Sequence, residues 1–210
     1  MRESLSFGTL EIAFDERVLR PREWTAAQSR WAAELLGEAP QGPVLELCAG
    51  AGHIGLLAVT GTARRLVCVD ADPVACEFAR ANAHASGLGE QVEVREGRLE
   101  EALRPDELFA LVIADPPWVC REETGRFPED PLLAIDGGPD GLDVARTCLG
   151  VIAAHLMPTG SAVLQLGSVA QVEALREDPR VRALELHLAE TRPHERGVLV
   201  RVDRAPDERA

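Results

Sequence analysis

Four residues near the middle of the chain, Asp115-Pro116-Pro117-Trp118, combine a carboxylate, a rigid double proline and a large aromatic. Two consecutive prolines cannot extend a sheet ladder, so they fix the backbone and leave carbonyl groups free. They follow the apolar run Phe109 to Ala114, a predicted strand, and α/β sheets place their ligands at the C-terminal ends of strands. A second stretch runs from Val44 through Glu46 and Leu47 into Cys48-Ala49-Gly50-Ala51-Gly52-His53-Ile54-Gly55. Here an apolar strand breaks into glycines and then a short apolar helix, a junction that lets backbone approach a ligand closely. The glycines match G-x-G-x-x-G, and Asp70 lies twenty residues after Gly50, where a dinucleotide clamp carries its acid for ribose hydroxyls. Asp72, followed by Pro73, is the better helix cap, which leaves Asp70 for a ligand. Glu46 sits inside the apolar strand and needs a cationic or hydrogen-bonded partner. An ammonium group on a cofactor would supply one, and nicotinamide dinucleotides carry none; a protein arginine is the other candidate.

The elements that must position these groups alternate. Residues 5 to 20 read as a hairpin, with Leu10, Ile12 and Phe14 facing one way and Asp15-Glu16 as its turn. Thr25 with Gln28 predicts a capping box for a helix carrying Trp31, Leu35 and Leu36. Strands are predicted at Arg65 to Val69, Val92 to Arg95, Phe109 to Ala114 and Ala162 to Leu166. Helices are predicted from Pro73 to Gly87, as a turn or two at Leu99 to Leu103, over Gly141 to Leu156, and after Ser168 up to Asp178-Pro179. Residues 119 to 140 have no clear periodicity and read as a functional loop. Val181 to Ala189 and Val198 to Val202 read as a closing strand pair. The predicted fold is α/β: a Rossmann-like, doubly wound, mostly parallel sheet with a C-terminal antiparallel pair and a small N-terminal hairpin plus helix. Residues 1–40 are the N-terminal extension, 41–203 one catalytic domain, and 204–210 a polar, frayed tail.

The 210 residues are 46% hydrophobic and carry a formal net charge of −13. Phosphate backbones are gripped by basic faces, so this acidity argues against a nucleic-acid partner. Five scattered cysteines without a C-x-x-C pair imply reduced thiols in a cytoplasmic protein and no metal site. No stretch has the length and apolarity of a signal peptide or a membrane span.

Glu46-Leu-Cys-Ala-Gly-Ala-Gly52, Val69-Asp70-Ala71-Asp72-Pro73 and Asp115-Pro-Pro-Trp118 resemble the motif set of class I S-adenosylmethionine-dependent methyltransferases. More narrowly, Val18-Leu-Arg-Pro-Arg-Glu-Trp-Thr25 and Ala134-Ile-Asp-Gly-Gly-Pro-Asp-Gly-Leu-Asp143 resemble the HemK-like protein-glutamine N-methyltransferases, which modify peptide-chain release factors. The resemblance covers residues 5 to 202. It implies S-adenosyl-L-methionine as cofactor, held by Glu46, Cys48, Ala49, Gly50, Gly52, Asp70, Ala71, Arg98, Leu99 and Asp115. Asp115, Pro116 and Trp118 are the implied catalytic residues, with Trp24, Thr25, Pro117 and Asp136 toward the substrate. Three departures stand out: the family has Asn-Pro-Pro-Tyr where this chain has Asp115 and Trp118, it usually has an acid where Arg98 stands, and its helical domain before the hairpin has no counterpart here.

Methyl transfer from a sulfonium is an in-line displacement, so the protein chiefly orients an acceptor lone pair. The resemblance implies that the residue-115 side chain and the Pro116 carbonyl accept the two N–H groups of a planar nitrogen, with Trp118 packed on the group. An asparagine offers an acceptor and a donor and suits an amide; an ionised aspartate only accepts. Asp115 therefore points to an amine or exocyclic amino acceptor on a protein or small molecule, unless it merely tightens the turn. The resemblance also implies that Arg20, Arg22, Trp24 and Thr25 cover the cofactor from the N-terminal side; equally, Trp24 reads as core. Asp136 to Asp143 would line the substrate pocket, or serve as a turn and helix start. His53 reads as a solvated residue able to touch the cofactor carboxylate, and His84, His155, His187 and His194 as surface positions. Three readings compete with the protein or small-molecule N-methyltransferase: transfer to a nucleic-acid amino group, a nicotinamide dinucleotide oxidoreductase, and a non-catalytic cofactor-binding protein.

Overall fold

The structure, a computed structural model, describes residues 1–205. Two strands, β1 (Glu3–Phe7) and β2 (Leu10–Phe14), form an antiparallel hairpin. It is followed by α1 (Ala26–Glu38), β3 (Val44–Leu47), α2 (His53–Val59), β4 (Leu66–Asp70), α3 (Pro73–Ala85), β5 (Val92–Glu96) and β6 (Phe109–Ala114). The chain continues through a 3-10 turn at Arg121–Arg126, α4 (Leu132–Ile135), α5 (Asp143–His155), β7 (Leu156–Leu166), α6 (Val169–Glu177), α7 (Pro179–Arg182), β8 (Leu186–His194) and β9 (Gly197–Arg204).

Seven strands make one sheet in the order β5-β4-β3-β6-β7-β9-β8, parallel from β5 to β7 and antiparallel at β7–β9 and β9–β8. Successive side chains of a strand face opposite sides, so β3 and β6 feed two cores. Leu45, Leu47 and Val112 pack with Leu149, Ile152 and Val172 beneath α5 and α6. Val44, Leu111 and Ile113 pack with Trp31, Ile54, Phe78 and the hairpin's Ile12 and Phe14 on the other face. The hairpin is anchored by the buried Asn82, whose amide accepts from Ala13 N–H and donates to the carbonyls of Ala13 and Ala51.

The chain leaves β3 toward β5, then crosses back to place β6 on the other side of β3. That reversal opens a crevice at the carboxyl ends of β3 and β6, the place where doubly wound sheets bind ligands.

Several sequence expectations are corrected. The hairpin turns at Gly8-Thr9, not at Asp15-Glu16; Gly8 takes φ +59°, as a two-residue connection requires, and Asp15 instead binds Arg17. Thr25 and Gln28 form no capping box: the Thr25 hydroxyl donates to Arg22 O, and Gln28 turns into the protein. Leu99 to Leu103 is a run of turns rather than helix, although Leu99 and Leu103 are buried. Residues 181 to 185 are not strand, because Asp178 caps α7 through Arg180 N–H and delays β8 to Leu186. Arg204, assigned to the tail, belongs to β9, and the tail residues from 206 lie outside the described residues.

Candidate active site

The glycine-rich turn after β3 is held from both ends. Cys48 has φ +57° and Gly50 φ +54°, left-handed conformations that let the chain double back before Gly52 caps α2 at φ +79°. Gly50 N–H donates to Asp70 Oδ2 at 2.7 Å, and Asp70 Oδ1 accepts from Asp72 N–H at 2.9 Å. Asp70 thus ties the end of β4 to the turn with one oxygen and holds its own loop with the other. Asp72 caps α3 by accepting from Val74 N–H, as its spacing predicted.

Glu46 is 2% exposed and finds its partners within the protein. Oε1 accepts from Gly55 N–H at 2.8 Å and Oε2 from the Cys68 thiol at 3.2 Å. Burial pushes the carboxyl up to about 7, with Asp115 and Asp70 adding repulsion. The same burial raises Asp70 and lifts Asp115 to about 7. Glu46, Asp70 and Asp115 therefore converge on one crevice, where burial disfavours the ionised form of each and the charges of Asp115 and Asp70 further disfavour that of Glu46. Positive charge there would relieve all three, whereas a pyrophosphate would meet repulsion and a Gly50 N–H already engaged.

Asp115 lies at the end of β6, its N–H toward Leu47 O. No side chain among the described residues hydrogen-bonds or pairs with its carboxylate. It forms part of the floor of a cavity of about 560 Å³, with Trp24, Thr25, His53, Pro116, Pro117 and Trp118 among the walls. The Trp118 ring lies where a Cβ of Gly167 would otherwise project, at the end of β7, and Gln171 Nε2 donates to Trp118 O at 2.9 Å. Arg22 reaches across the mouth to Asp130, with Nη2 2.7 Å from Oδ1 and 2.9 Å from Oδ2.

Asp115, Pro116, Pro117, Trp118, Trp24 and Thr25 are thus brought together. Cys48, Ala49, Gly50, Gly52, Asp70 and Ala71 gather at the turn above β3 and β4. Leu99 is buried beyond β5, while Arg98 is exposed and lies 3.7 Å from Glu101. Asp136 is not part of the cavity lining; its carboxylate is held by Arg121 at 3.0 Å and by Gly138 N–H at 2.8 Å.

Two histidines and a glutamine depart from their sequence readings. His53 is half-buried rather than solvated: its ring meets Phe7 edge-on, and Nε2 lies 3.3 Å from Thr25 Oγ1. Burial lowers it to about 4, so the imidazole is neutral. His194 is not a free surface position; Nε2 sits 2.8 Å from Gln165 Oε1, and its ring packs near Trp24. Gln28, fully buried on α1, donates to Ala114 O at 2.9 Å and Val163 O at 3.1 Å, clasping β6 and β7 just before Asp115. A glutamine three residues before Trp31, on the helix's apolar face, was the available signal for it.

The strand order, the glycine turn after β3 and the acidic group after β6 define the fold of class I methyltransferases. Solved structures bear out that assignment: ribosomal protein L11 methylase from Lactobacillus delbrueckii subsp. bulgaricus matches with a TM-score of 0.65 at 14% identity, over 90% of this chain and 82% of its own. An RNA methyltransferase from Salinibacter ruber in complex with S-adenosylhomocysteine matches at 0.58 and 16% identity, over 91% and 98%. The chain belongs to the family described as conserved hypothetical protein 95, whose model matches residues 19–125. It is also similar to the ribosomal protein uL3 glutamine methyltransferase of Bradyrhizobium diazoefficiens, 34% identical over 75% of this chain and 53% of that one. The release factor glutamine methyltransferase of Moorella thermoacetica is likewise 34% identical, over 77% and 59%. The chain therefore spans a little over half the length of these relatives. Among the described residues, no helix is long and apolar enough to cross a membrane.

Proposed function

We propose that this chain is a cytoplasmic S-adenosyl-L-methionine-dependent N-methyltransferase whose acceptor is a nitrogen on a protein. The observation that carries the reading is the set of converging carboxyl groups of Glu46, Asp70 and Asp115 around a glycine turn, a setting that suits a cationic sulfonium ligand and not a pyrophosphate. Residues 41–203 form the methyltransferase domain, and residues 1–40 cover its acceptor side.

The cofactor would lie against Cys48, Ala49, Gly50, Gly52 and Ala71, with Asp70 toward its ribose, Glu46 setting the negative field below it, and Arg98 and Leu99 beyond β5. When bound, it supplies an electrophilic methyl group. The protein's own contribution is positioning. Asp115 and the Pro116 carbonyl accept N–H groups of the acceptor nitrogen and aim its lone pair. Pro117 keeps the backbone rigid, Trp118 and Trp24 pack on the acceptor, and Thr25 holds His53 in place. The relatives' names support a protein acceptor.

Calorimetric titration tests the reading: S-adenosylhomocysteine is expected to bind with micromolar affinity and NAD to show no heat. Binding of NAD alone would overturn it.

A further inference from the structure

Beyond the class of reaction, the cavity carries information about the chemistry of the acceptor. We infer that the acceptor is an aliphatic amine that enters as an ammonium ion and gives a proton to Asp115 before it is methylated. This rests on the N-methyltransferase reading and deepens it.

The first observation is that Asp115 is recessed, ionisable and without a partner among the described residues, so a ligand is left to supply one. The second is the charge of the lining. Arg22 is bound to Asp130, Arg20 lies 3.3 Å from Glu3 and over the Phe14 ring, and Arg126 lies 2.7 Å from Glu123. Among the described residues, Glu129 and Glu195 have no such cation, and Arg196 has no such acid. His53, facing the cavity from α2, is neutral. Behind Asp115, Glu46 and Cys48 at the end of β3 add only negative or neutral groups. The uncompensated charge inside is therefore acidic. The third observation is the segment that forms the acceptor side: residues 115–140 hold seven acids and two arginines, both paired. An RNA strand would meet repulsion here, and a neutral amide would leave the aspartate's charge unanswered.

The aromatic walls at Trp24 and Trp118 suit the alkyl stem of a cationic side chain and its charge. In the proton step, the ammonium N–H bond breaks, its electron pair stays on nitrogen, and the proton moves to the Asp115 carboxylate. The amine then turns about its C–N bond, and its lone pair, now facing the donor methyl, forms the new N–C bond while the donor's C–S pair remains on sulfur. The product leaves as a methylated ammonium, and Asp115 returns its proton to water. Buried to about 7, Asp115 is matched to this task at neutral pH.

The test is calorimetric binding of n-propylammonium and propionamide to the protein saturated with S-adenosylhomocysteine, at pH 6 and pH 8. The chain contains no lysine, so its own side chains offer no competing amine. Propylammonium is expected to bind roughly tenfold tighter at pH 8, following ionisation of Asp115, and at least tenfold tighter than propionamide there. Asp115→Asn is expected to lose the amine and gain the amide; Asp115→Ala should lose both. Propionamide binding as tight as propylammonium at pH 8, or tightening toward pH 6, would overturn the inference, because a protonated Asp115 would then serve as an amide donor. Adenosine competing better than propylammonium would overturn it in favour of an exocyclic amino group. Failure of S-adenosylhomocysteine itself to bind would remove the methyltransferase reading and this inference with it.

Discussion

Gly55 and Glu46 share one small space: the glycine's N–H donates to Glu46 Oε1 at 2.8 Å, and a Cβ on Gly55 would strike Oε2 of the same carboxyl. The third glycine of the G-x-G-x-x-G pattern therefore serves a buried acid of the preceding strand rather than a ligand. Gly55→Ala is expected to displace Glu46 and cost about 1–3 kcal/mol of unfolding free energy in urea, the range of an overpacked core. On the proposed function it also weakens S-adenosylhomocysteine at least tenfold. Unchanged stability together with unchanged affinity would show that the carboxyl has somewhere else to go.

Gln28 fixes the backbone that presents Asp115. Gln28→Leu leaves the carbonyls of Ala114 and Val163 without that donor inside the protein, at about 1–3 kcal/mol each. Gln28→Met, with its flexible side chain, probes the same loss with gentler repacking. Carbon-13 titration of the Asp115 carboxyl is the decisive readout: if its midpoint stays at the wild-type value in both variants, Gln28 supports only the fold.

Stability should depend on pH through the buried acids. Glu46 ionises at an ordinary 4.5 when unfolded and at about 7 in the folded protein. Below pH 4.5 both states are protonated, and no cost arises. Between about 4.5 and 7 the folded state keeps a proton that the unfolded state loses, so stability falls as pH rises, by about 3 kcal/mol in all. Glu46→Gln keeps the shape and removes the titration. Urea unfolding of the two proteins from pH 4.5 to 8 is expected to show the variant's disadvantage shrinking toward high pH; parallel curves would contradict it.

Gly167 leaves room for the Trp118 ring at the end of β7. Gly167→Ala is expected to push the indole into the acceptor cavity, cost about 1–3 kcal/mol and change the near-ultraviolet circular dichroism. Trp118→Phe in the Gly167→Ala background should recover part of the loss, since the smaller ring needs less space. Additive losses would mean that the two residues do not meet.

Much of the fold follows from local sequence. The apolar runs of β3, β4 and β6, the 3-4 stripe of α5, and the caps at Asp72 and Ser168 are properties of short windows, and each appears where its window says. The glycine turn and the Asp115-Pro-Pro-Trp118 end of β6 were legible as candidate sites because chemistry and backbone constraint coincide there. The hairpin turn was not: Asp15-Glu16 reads as the turn, and only packing of Phe7, Leu10, Ile12 and Phe14 places it at Gly8-Thr9.

By itself the sequence determined the α/β alternation, the turn that follows β3 and the acid that follows β6, because periodicity and residue chemistry are local. Only the tertiary structure decided that Glu46 belongs to Gly55 and Cys68, that Gln28 reaches β6 and β7, and that Asp115 stands without a partner among the described residues. Those are facts about hydrogen bonds between residues up to 135 positions apart, and about which of them burial leaves unanswered. No local window contains them, because the desolvation of a carboxyl and the choice of its partner are set when the two faces of the sheet are covered.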